Sequence, residues 1–202
     1  FGALCRIKEQ FDPGGQLNPG KIAVVSRWSP DLASVDGPMR GTQDRQIAPR
    51  SQQRFDVAIH CNGNGQCFSS DPDTVMCPSS KVRRDRVHSP KGRAAVLREW
   101  LRQLSRNGFD AAARLEQLAR GSAPAAGSWL DAISRQRGRK HYDFSHEVYD
   151  ALDGCLNCKA CATQCPIKVD VPRMKSEFLS LYHERYCRPA RDYFLAALES
   201  VL

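Results

Sequence analysis

The stretch CLNCKACATQCP, residues 155–166, contains four cysteines at a fixed spacing, and the last of them precedes a proline. Two residues between successive thiols let the backbone wrap tightly enough for three sulfurs to reach three corners of one cube. The fourth thiol, braced by the proline, points away from that turn. This spacing predicts a cubane iron–sulfur site. The four candidate ligands are Cys155, Cys158, Cys161 and Cys165.

Zinc is the main alternative occupant, because pairs of cysteines two residues apart also form tetrahedral zinc sites. Zinc sites usually combine two separated pairs, whereas this chain has three cysteines in steps of three followed by Cys-Pro. The spacing therefore favours the iron–sulfur interpretation. A zinc-stabilised interaction or nucleic-acid-binding module is the competing hypothesis.

A second, altered cysteine run lies upstream in HCNGNGQCFSSDPDTVMCPS, residues 60–79. It contains Cys61, Cys67 and a Cys77 that keeps the following proline, but Asn64 stands where another cysteine is expected. In proteins with two such runs, the fourth cysteine of each run binds the cluster of the other run. If this rule holds, Cys77 is the fourth ligand of the downstream cluster.

The same rule assigns Cys61, Cys67 and Cys165 to a possible second site that is one thiolate short. Such a site could hold a three-iron cluster, a cubane with a non-cysteine ligand, or nothing, with Cys61 and Cys67 as buried free thiols. Alternatively, Cys165 closes the downstream cluster itself, and Cys61, Cys67 and Cys77 are left without metal. The sequence keeps these alternatives open.

Cysteine usage restricts the class of protein. The nine cysteines are an odd number and are grouped, in a 202-residue chain that is long enough to form a core without disulfides. Because the chain shows no secretory leader and no apolar run of membrane-spanning length, we expect a soluble, cytoplasmic protein. The missing initiator methionine and the helical patterns at both ends lead us to expect a piece of a longer polypeptide.

The formal net charge is +8, and nine Lys or Arg residues fall within residues 81–106. No helix-turn-helix, zinc finger or aromatic stacking platform accompanies this basic stretch. It therefore predicts a solvated helix face or a collar around an anionic group of the same protein, rather than a nucleic-acid interface.

Periodicity and turn residues predict a mainly α-helical protein with long loops. Ser89-Pro90 is an N-cap followed by a first-turn proline, and apolar residues at helical spacing continue to Asn107-Gly108. Further helices are expected over 1–11, 109–120, 145–154 with Ser145 as the cap, 171–186 and 189–202. We expect a linker or long loop over residues 26–54 and a flexible break over residues 122–128. Residues 54–61 are expected to form a strand or an extended segment.

Three stretches together resemble a known family of oxidoreductases. KEQFDPGGQLNPGKI, residues 8–22, resembles the C-terminal end of flavin-dependent 2-hydroxyacid oxidoreductases of the FAD-linked oxidase type. Residues 60–101 resemble the region that joins this flavoprotein to an iron–sulfur domain in large bacterial members. CLNCKACATQCPIKVDVPRMKSEFL, residues 155–179, resembles their ferredoxin run. Overall the chain resembles the bacterial D-2-hydroxyglutarate dehydrogenases that contain FAD and iron–sulfur.

The resemblance implies a flavin-oxidase tail over 1–25, a linker over 26–54 and a helical, ferredoxin-like 4Fe-4S domain over 55–202. It implies that Asn18 lies against FAD, whereas the catalytic residues and most of the FAD site precede Phe1. Electrons would pass from reduced FAD through the 4Fe-4S cluster to an acceptor, either a protein or a quinone. This stretch alone is expected to have no activity, and an oligomer is possible. The alternative is an iron–sulfur carrier subunit of a glycolate, D-lactate or glycerol-3-phosphate dehydrogenase.

Overall fold

The computed structural model describes residues 1–25, 37–69, 71–121 and 143–199. Within these ranges the regular structure is helical and contains no β-strand, which confirms the predicted fold class. The chain divides into two compact units, Phe1–Met39 and Arg40–Leu202. Among the described residues, every helix falls short of the length and apolar character that a membrane span needs.

The first unit is a short helix followed by a turn that a buried aspartate holds together. Helix α1 spans Gly2–Phe11, as predicted. Asp12 is buried, and its carboxylate accepts two backbone N–H hydrogen bonds from the turn, both at 2.8 Å, and one from the Lys8 ammonium. These donors, Lys8 above all, hold the pKa of Asp12 below its usual value. Asn18 follows in a left-handed conformation, with φ of 46°, and is exposed.

The second unit contains ten α-helices and one 3-10 helix in its described residues. The α-helices are α2 Arg40–Asp44, α3 Pro49–Arg54, α4 Asp56–Ile59, α5 Pro78–Arg83, α6 Pro90–Arg106, α7 Ala111–Ala119, α8 Phe144–Asp153, α9 Ala160–Gln164, α10 Val171–Arg185 and α11 Ala190–Glu199. The 3-10 helix, Arg86–His88, directly precedes α6.

Helix α6 is the central element of the second unit, and it forms where the sequence predicted. Its N-cap Ser89 accepts a hydrogen bond from the N–H of Gly92 at 3.1 Å. Pro90 occupies the first turn, where a helix does not need the missing N–H. The apolar face, which includes Leu97 and Trp100, is buried. The N-cap, the proline and the apolar periodicity thus agree with one another and with the observed helix.

The hydrophobic core forms where α6 meets its neighbours. Helix α6 packs against α4, α8 and the 3-10 helix, and α10 packs against α6, α7 and α8. The rings of Trp100 and Phe178 meet edge to face, with centroids 5.0 Å apart. Cys161 belongs to this core, and Cys155 and Cys165 pack against it. The core therefore positions the downstream cysteine run directly.

The expectation of a strand or extended segment over 54–61 is wrong. Helix α3 ends at Arg54 and α4 spans Asp56–Ile59, with Phe55 buried between them. The alternating apolar residues that suggested a strand also suit short helical turns, because periodicity cannot separate the two structures over so few residues.

Residues 40–54, which the sequence assigned to a linker, contain α2 and α3 and contribute Ile47 to the main core. In the structure the second unit begins at Arg40 rather than at residue 55.

The prediction that Ser145 caps α8 is wrong, because Asp143 is the N-cap and accepts the N–H of Ser145 at 2.9 Å. The predicted break at 122–128 lies outside the described residues.

Candidate metal centres

The downstream cysteine run follows α8 and curls around a pocket that we call site 1. Between its first three thiols, Asn157 and Lys159 adopt left-handed conformations with φ of 55° and 63°. Non-glycine residues adopt this conformation rarely and at a cost, often where a ligand is held. Two such residues change the direction of the chain between successive cysteines. As a result, Cys155, Cys158 and Cys161 all line site 1.

Cys77 from the upstream run also lines site 1 and brings the number of thiols there to four. It is buried, has φ of 53°, and directly precedes Pro78 at the start of α5. Its thiol points to the carbonyl oxygen of His88 at 3.8 Å. A strained, buried cysteine from a distant part of the chain is therefore held at the same pocket as the downstream thiols.

The thiol of Cys161 shows how burial and hydrogen bonding act on site 1. Burial raises the pKa of Cys161 to about 11, and the neighbouring Cys155 and Cys77 act in the same direction. The backbone N–H of Val171, at the start of α10, opposes this by hydrogen bonding to the sulfur. Binding of a metal cluster must displace these thiol protons, so cluster binding and deprotonation are coupled.

A buried arginine faces site 1, and sequence reasoning did not single it out. Arg93 is 1% exposed. Its guanidinium lies with Nη1 3.6 Å from Sγ of Cys77, Nη2 2.7 Å from Oγ of Ser79, and Nε 2.7 Å from the carbonyl oxygen of Ala151. The sequence contains one indication that Arg93 is buried. Arg93 precedes the buried Leu97 by four residues and therefore lies on the same face of the helix.

A second pocket, site 2, is lined by Cys61, Cys67 and Cys165. Cys67 is buried, and the other two thiols are half-buried. Asn64 also lines this pocket but is exposed, and its side-chain oxygen accepts the N–H of Gln66 at 3.2 Å. Site 2 therefore offers three thiols, as the altered upstream run suggested, and Asn62 and Gln66 line it beside Asn64.

The N-terminus of α6 lies between the two sites, since Pro90 lines both pockets. At site 2, burial raises the pKa of Cys67, while the N–H of Lys91 and the hydroxyl of Ser89 oppose this by hydrogen bonding to the sulfur. The Lys91 ammonium also donates to the carbonyl oxygen of Gly63 at 3.2 Å. A helix N-terminus carries partial positive charge and favours anions, so α6 suits thiolates at both sites.

The structure thus groups the predicted ligands in the crossed arrangement. Cys77 lies with the downstream thiols, and Cys165 lies with the upstream ones. Their roles as ligands stay a prediction. Asn18 belongs to the first unit. In the described ranges, no three His, Cys, Asp or Glu side chains stand close enough together to hold a single metal ion.

The donors of site 1 fit an iron–sulfur cluster. Such clusters are typically held by four cysteine thiolates, and the four thiols surround the pocket while no His, Asp or Glu lines it in the described structure. The N-termini of α6 and α10 and the Arg93 guanidinium line the pocket, and their positive charge favours thiolates there. Cys158 and Leu156 are exposed, so one edge of site 1 faces the surface.

Comparison with protein families matches residues 57–169 to the 4Fe-4S dicluster domain. The matched range contains all seven cysteines of the two sites. No solved structure matches the chain.

Curated relatives match almost the whole chain. It is 50% identical to a D-2-hydroxyglutarate dehydrogenase of Pseudomonas putida, over 98% of the chain and 20% of that protein. It is 49% identical to a D-2-hydroxyglutarate dehydrogenase of Escherichia coli, over 99% of the chain and 20% of that protein. It is 47% identical to a D-2-hydroxyglutarate dehydrogenase of Haemophilus influenzae, over 97% of the chain and 19% of that protein. The chain therefore spans about a fifth of the length of these relatives.

Proposed function

Because the chain belongs to the family of 4Fe-4S dicluster domains, we propose that it is the electron-transfer segment of a flavin-dependent 2-hydroxyacid dehydrogenase. The names of its relatives support D-2-hydroxyglutarate as the substrate of the complete enzyme. The observation that carries the proposal is the grouping of four thiols from two distant runs around one pocket.

In this proposal, site 1 holds a 4Fe-4S cluster through Cys77, Cys155, Cys158 and Cys161. When bound, such a cluster accepts and releases single electrons. The buried Cys77 and Cys161 keep water from the inner face of the site, whereas Cys158 lies at the exposed edge. This edge is the side from which an electron donor or acceptor can approach most closely.

Site 2 is proposed as the second metal position, with Cys61, Cys67 and Cys165 as its thiolate ligands. The missing fourth thiolate makes a three-iron cluster or a cubane with a non-cysteine ligand the compatible occupants. Pro90 borders both pockets, so electrons would need to cross only the start of α6 to pass between them.

The first unit is proposed as the contact with FAD. Asp12 holds the turn that carries Asn18, and the left-handed conformation leaves the Asn18 side chain exposed for a neighbouring group. The FAD domain, the catalytic residues and the substrate site would be supplied by the remaining four-fifths of a longer, cytoplasmic polypeptide. The final acceptor would be a protein or a quinone.

The test is made on the complete polypeptide, purified without oxygen. Iron, acid-labile sulfide, zinc and flavin are measured, and D-2-hydroxyglutarate is then added while EPR follows the cluster. We expect iron with matching sulfide, and an EPR signal of the reduced cluster that appears with D-2-hydroxyglutarate. Zinc without sulfide would overturn the proposed cofactor. Reduction by glycolate, D-lactate or glycerol 3-phosphate, but not by D-2-hydroxyglutarate, would overturn the proposed substrate.

A further inference from the structure

The buried guanidinium of Arg93 has no carboxylate partner in the described part of the chain. Its three hydrogen-bonding partners are a carbonyl oxygen of Ala151, a hydroxyl of Ser79 and the sulfur of Cys77. The first two are neutral. Arginine stays protonated in proteins, so this side chain, which is 1% exposed, brings a permanent positive charge into the protein interior.

An isolated buried charge destabilises a protein strongly unless an opposite charge and hydrogen bonds compensate it. Of the three partners, only Cys77 can become an anion. A protonated thiol is a weak hydrogen-bond acceptor, whereas a thiolate is a full counter-ion for a guanidinium. The arrangement around Arg93 is therefore balanced when Cys77 is a thiolate, which is its state as a cluster ligand.

We propose that Arg93 is a positioning residue that holds the Cys77 thiolate at site 1 and raises the reduction potential of the cluster bound there. Each electron that the cluster gains adds one negative charge next to the buried guanidinium. Because hydrogen bonds to ligand sulfurs and nearby charge set cluster potentials, Arg93 stabilises the reduced state more than the oxidised state. This inference rests on the proposed function, since it requires a cluster at site 1.

Arg93 also has a structural role that the experiment must separate from the electrostatic one. Its bond to the carbonyl oxygen of Ala151 ties α6 to α8, and its bond to Ser79 ties α6 to α5. A substitution will therefore lower stability whether or not Arg93 affects the cluster. A potential measured on cluster-loaded protein is independent of this loss.

The experiment compares Arg93→Met, Arg93→Lys and Arg102→Met in the complete polypeptide under anaerobic conditions. Arg102 lies on the same helix, where it pairs with Glu99 at 2.6 Å, and it lines neither site. Arg102→Met is therefore the matched loss of one positive charge. Iron and sulfide contents and melting temperature are recorded first, and the midpoint potential of the site 1 signal follows from an EPR redox titration.

We expect Arg93→Met to lower the equilibrium constant for cluster reduction about tenfold, which is a fall of about 59 mV for one electron. Arg93→Lys keeps the charge but loses the fork of donors, so its potential should lie between those of Arg93→Met and wild type. Arg102→Met should leave the potential unchanged. Equal potentials in wild type and both Arg93 variants would overturn the inference while leaving the proposed function intact.

A second measurement covers the case in which Arg93→Met loses the cluster. Wild-type protein labelled with ¹⁵N-arginine is reduced, and pulsed EPR detects nitrogen nuclei that are hydrogen bonded to ligand sulfur. We expect an arginine nitrogen coupling that disappears in Arg93→Lys. No arginine coupling in loaded wild type would overturn the inference, whereas absence of any iron–sulfur signal from wild type would instead overturn the proposed function.

Discussion

The contact between the start of α6 and the 3-10 helix predicts a large effect of a single methyl group at Gly92. A Cβ atom there would lie 2.6 Å from both the Cα and the carbonyl oxygen of Val87, and closer still to the carbonyl oxygen of Arg86. Ordinary contact begins at 3.4 Å, so the backbone of the 3-10 helix would have to retreat by at least about 0.8 Å at Val87, the difference between these distances, and by more at Arg86. Backbone atoms cannot rotate away as the end of a side chain can.

The expected magnitude follows from two opposing terms. Alanine is more favourable than glycine within a helix by about 1 kcal/mol, whereas overpacking costs about 3 kcal/mol at the upper end of its usual range. We therefore expect Gly92→Ala to lower the free energy of unfolding by about 2 kcal/mol, or the melting temperature by roughly 4–8 °C for a chain of this size. Because the carbonyl oxygen of His88 contacts the thiol of Cys77, displacement of the 3-10 helix should also reduce the iron content of site 1.

Gly41→Ala is the matched control. Gly41 lies in α2, and a Cβ atom there would meet nothing within 4 Å. This variant should be as stable as wild type or more stable by up to about 1 kcal/mol. Calorimetry and urea unfolding on cluster-loaded protein measure both variants. If Gly92→Ala unfolds at the same temperature as Gly41→Ala, the close approach of α6 to the 3-10 helix is wrong.

Three further predictions concern the core, the cap of α8 and the metal. Phe178→Ala should lower the free energy of unfolding by about 3–5 kcal/mol because Phe178 is fully buried, whereas Phe109→Ala should lower it far less because Phe109 is 39% exposed. Equal urea unfolding midpoints in the two variants would contradict the described core. Burial opposes ionisation of Asp143, but hydrogen bonds from Tyr186 and Ser145 outweigh it and hold the pKa of Asp143 below its usual value. The pKa of Asp143 is lower in the folded state than in the unfolded state. The ionised Asp143 therefore stabilises the fold fully at a pH above its unfolded-state pKa, and this stabilisation is lost as the pH falls through its folded-state pKa. Asp143→Asn should therefore be about 1 kcal/mol less stable than wild type at neutral pH, with a difference that shrinks in acid, and a difference independent of pH in urea unfolding would refute this. Removing iron with a chelator and an oxidant should lower the melting temperature, because bound metal contributes to folding free energy, and an unchanged melting temperature would count against a cluster that supports the fold.

The helices that the sequence predicted best are those whose ends carry their own signals. Ser89-Pro90 starts α6 by local chemistry, and the apolar period of the helix extends over enough residues to leave one interpretation. Short segments lacked both features. Phe55 and Ile47 became core residues through tertiary packing, which local periodicity over a few residues cannot reveal.

The crossed grouping of the cysteines was one of the alternatives that the sequence left open, because a pairing rule for two-run proteins predicts it but the spacing alone does not exclude Cys165 as a ligand of the downstream cluster. Arg93 was not predicted, because the sequence alone does not separate one buried cation from eight basic neighbours. Its position four residues before Leu97 gives a helical register, but only the fold shows that α5 and α8 close over the same face. Asp143 was missed as a cap for a simpler reason, since Ser145 two residues later is an equally good N-cap residue by type.

The assignment of Cys77 to site 1 is tested most directly by exchanging single ligands. Cys77→Ser, Cys165→Ser and Cys158→Ser are prepared anaerobically, with Cys5→Ser, which lies in the first unit, as the control. The EPR signal that Cys158→Ser abolishes defines the cluster of site 1. We predict that Cys77→Ser abolishes or alters the same signal, whereas Cys165→Ser and Cys5→Ser leave it unchanged. Loss of that signal in Cys165→Ser, with the signal intact in Cys77→Ser, would contradict the crossed arrangement of the ligands.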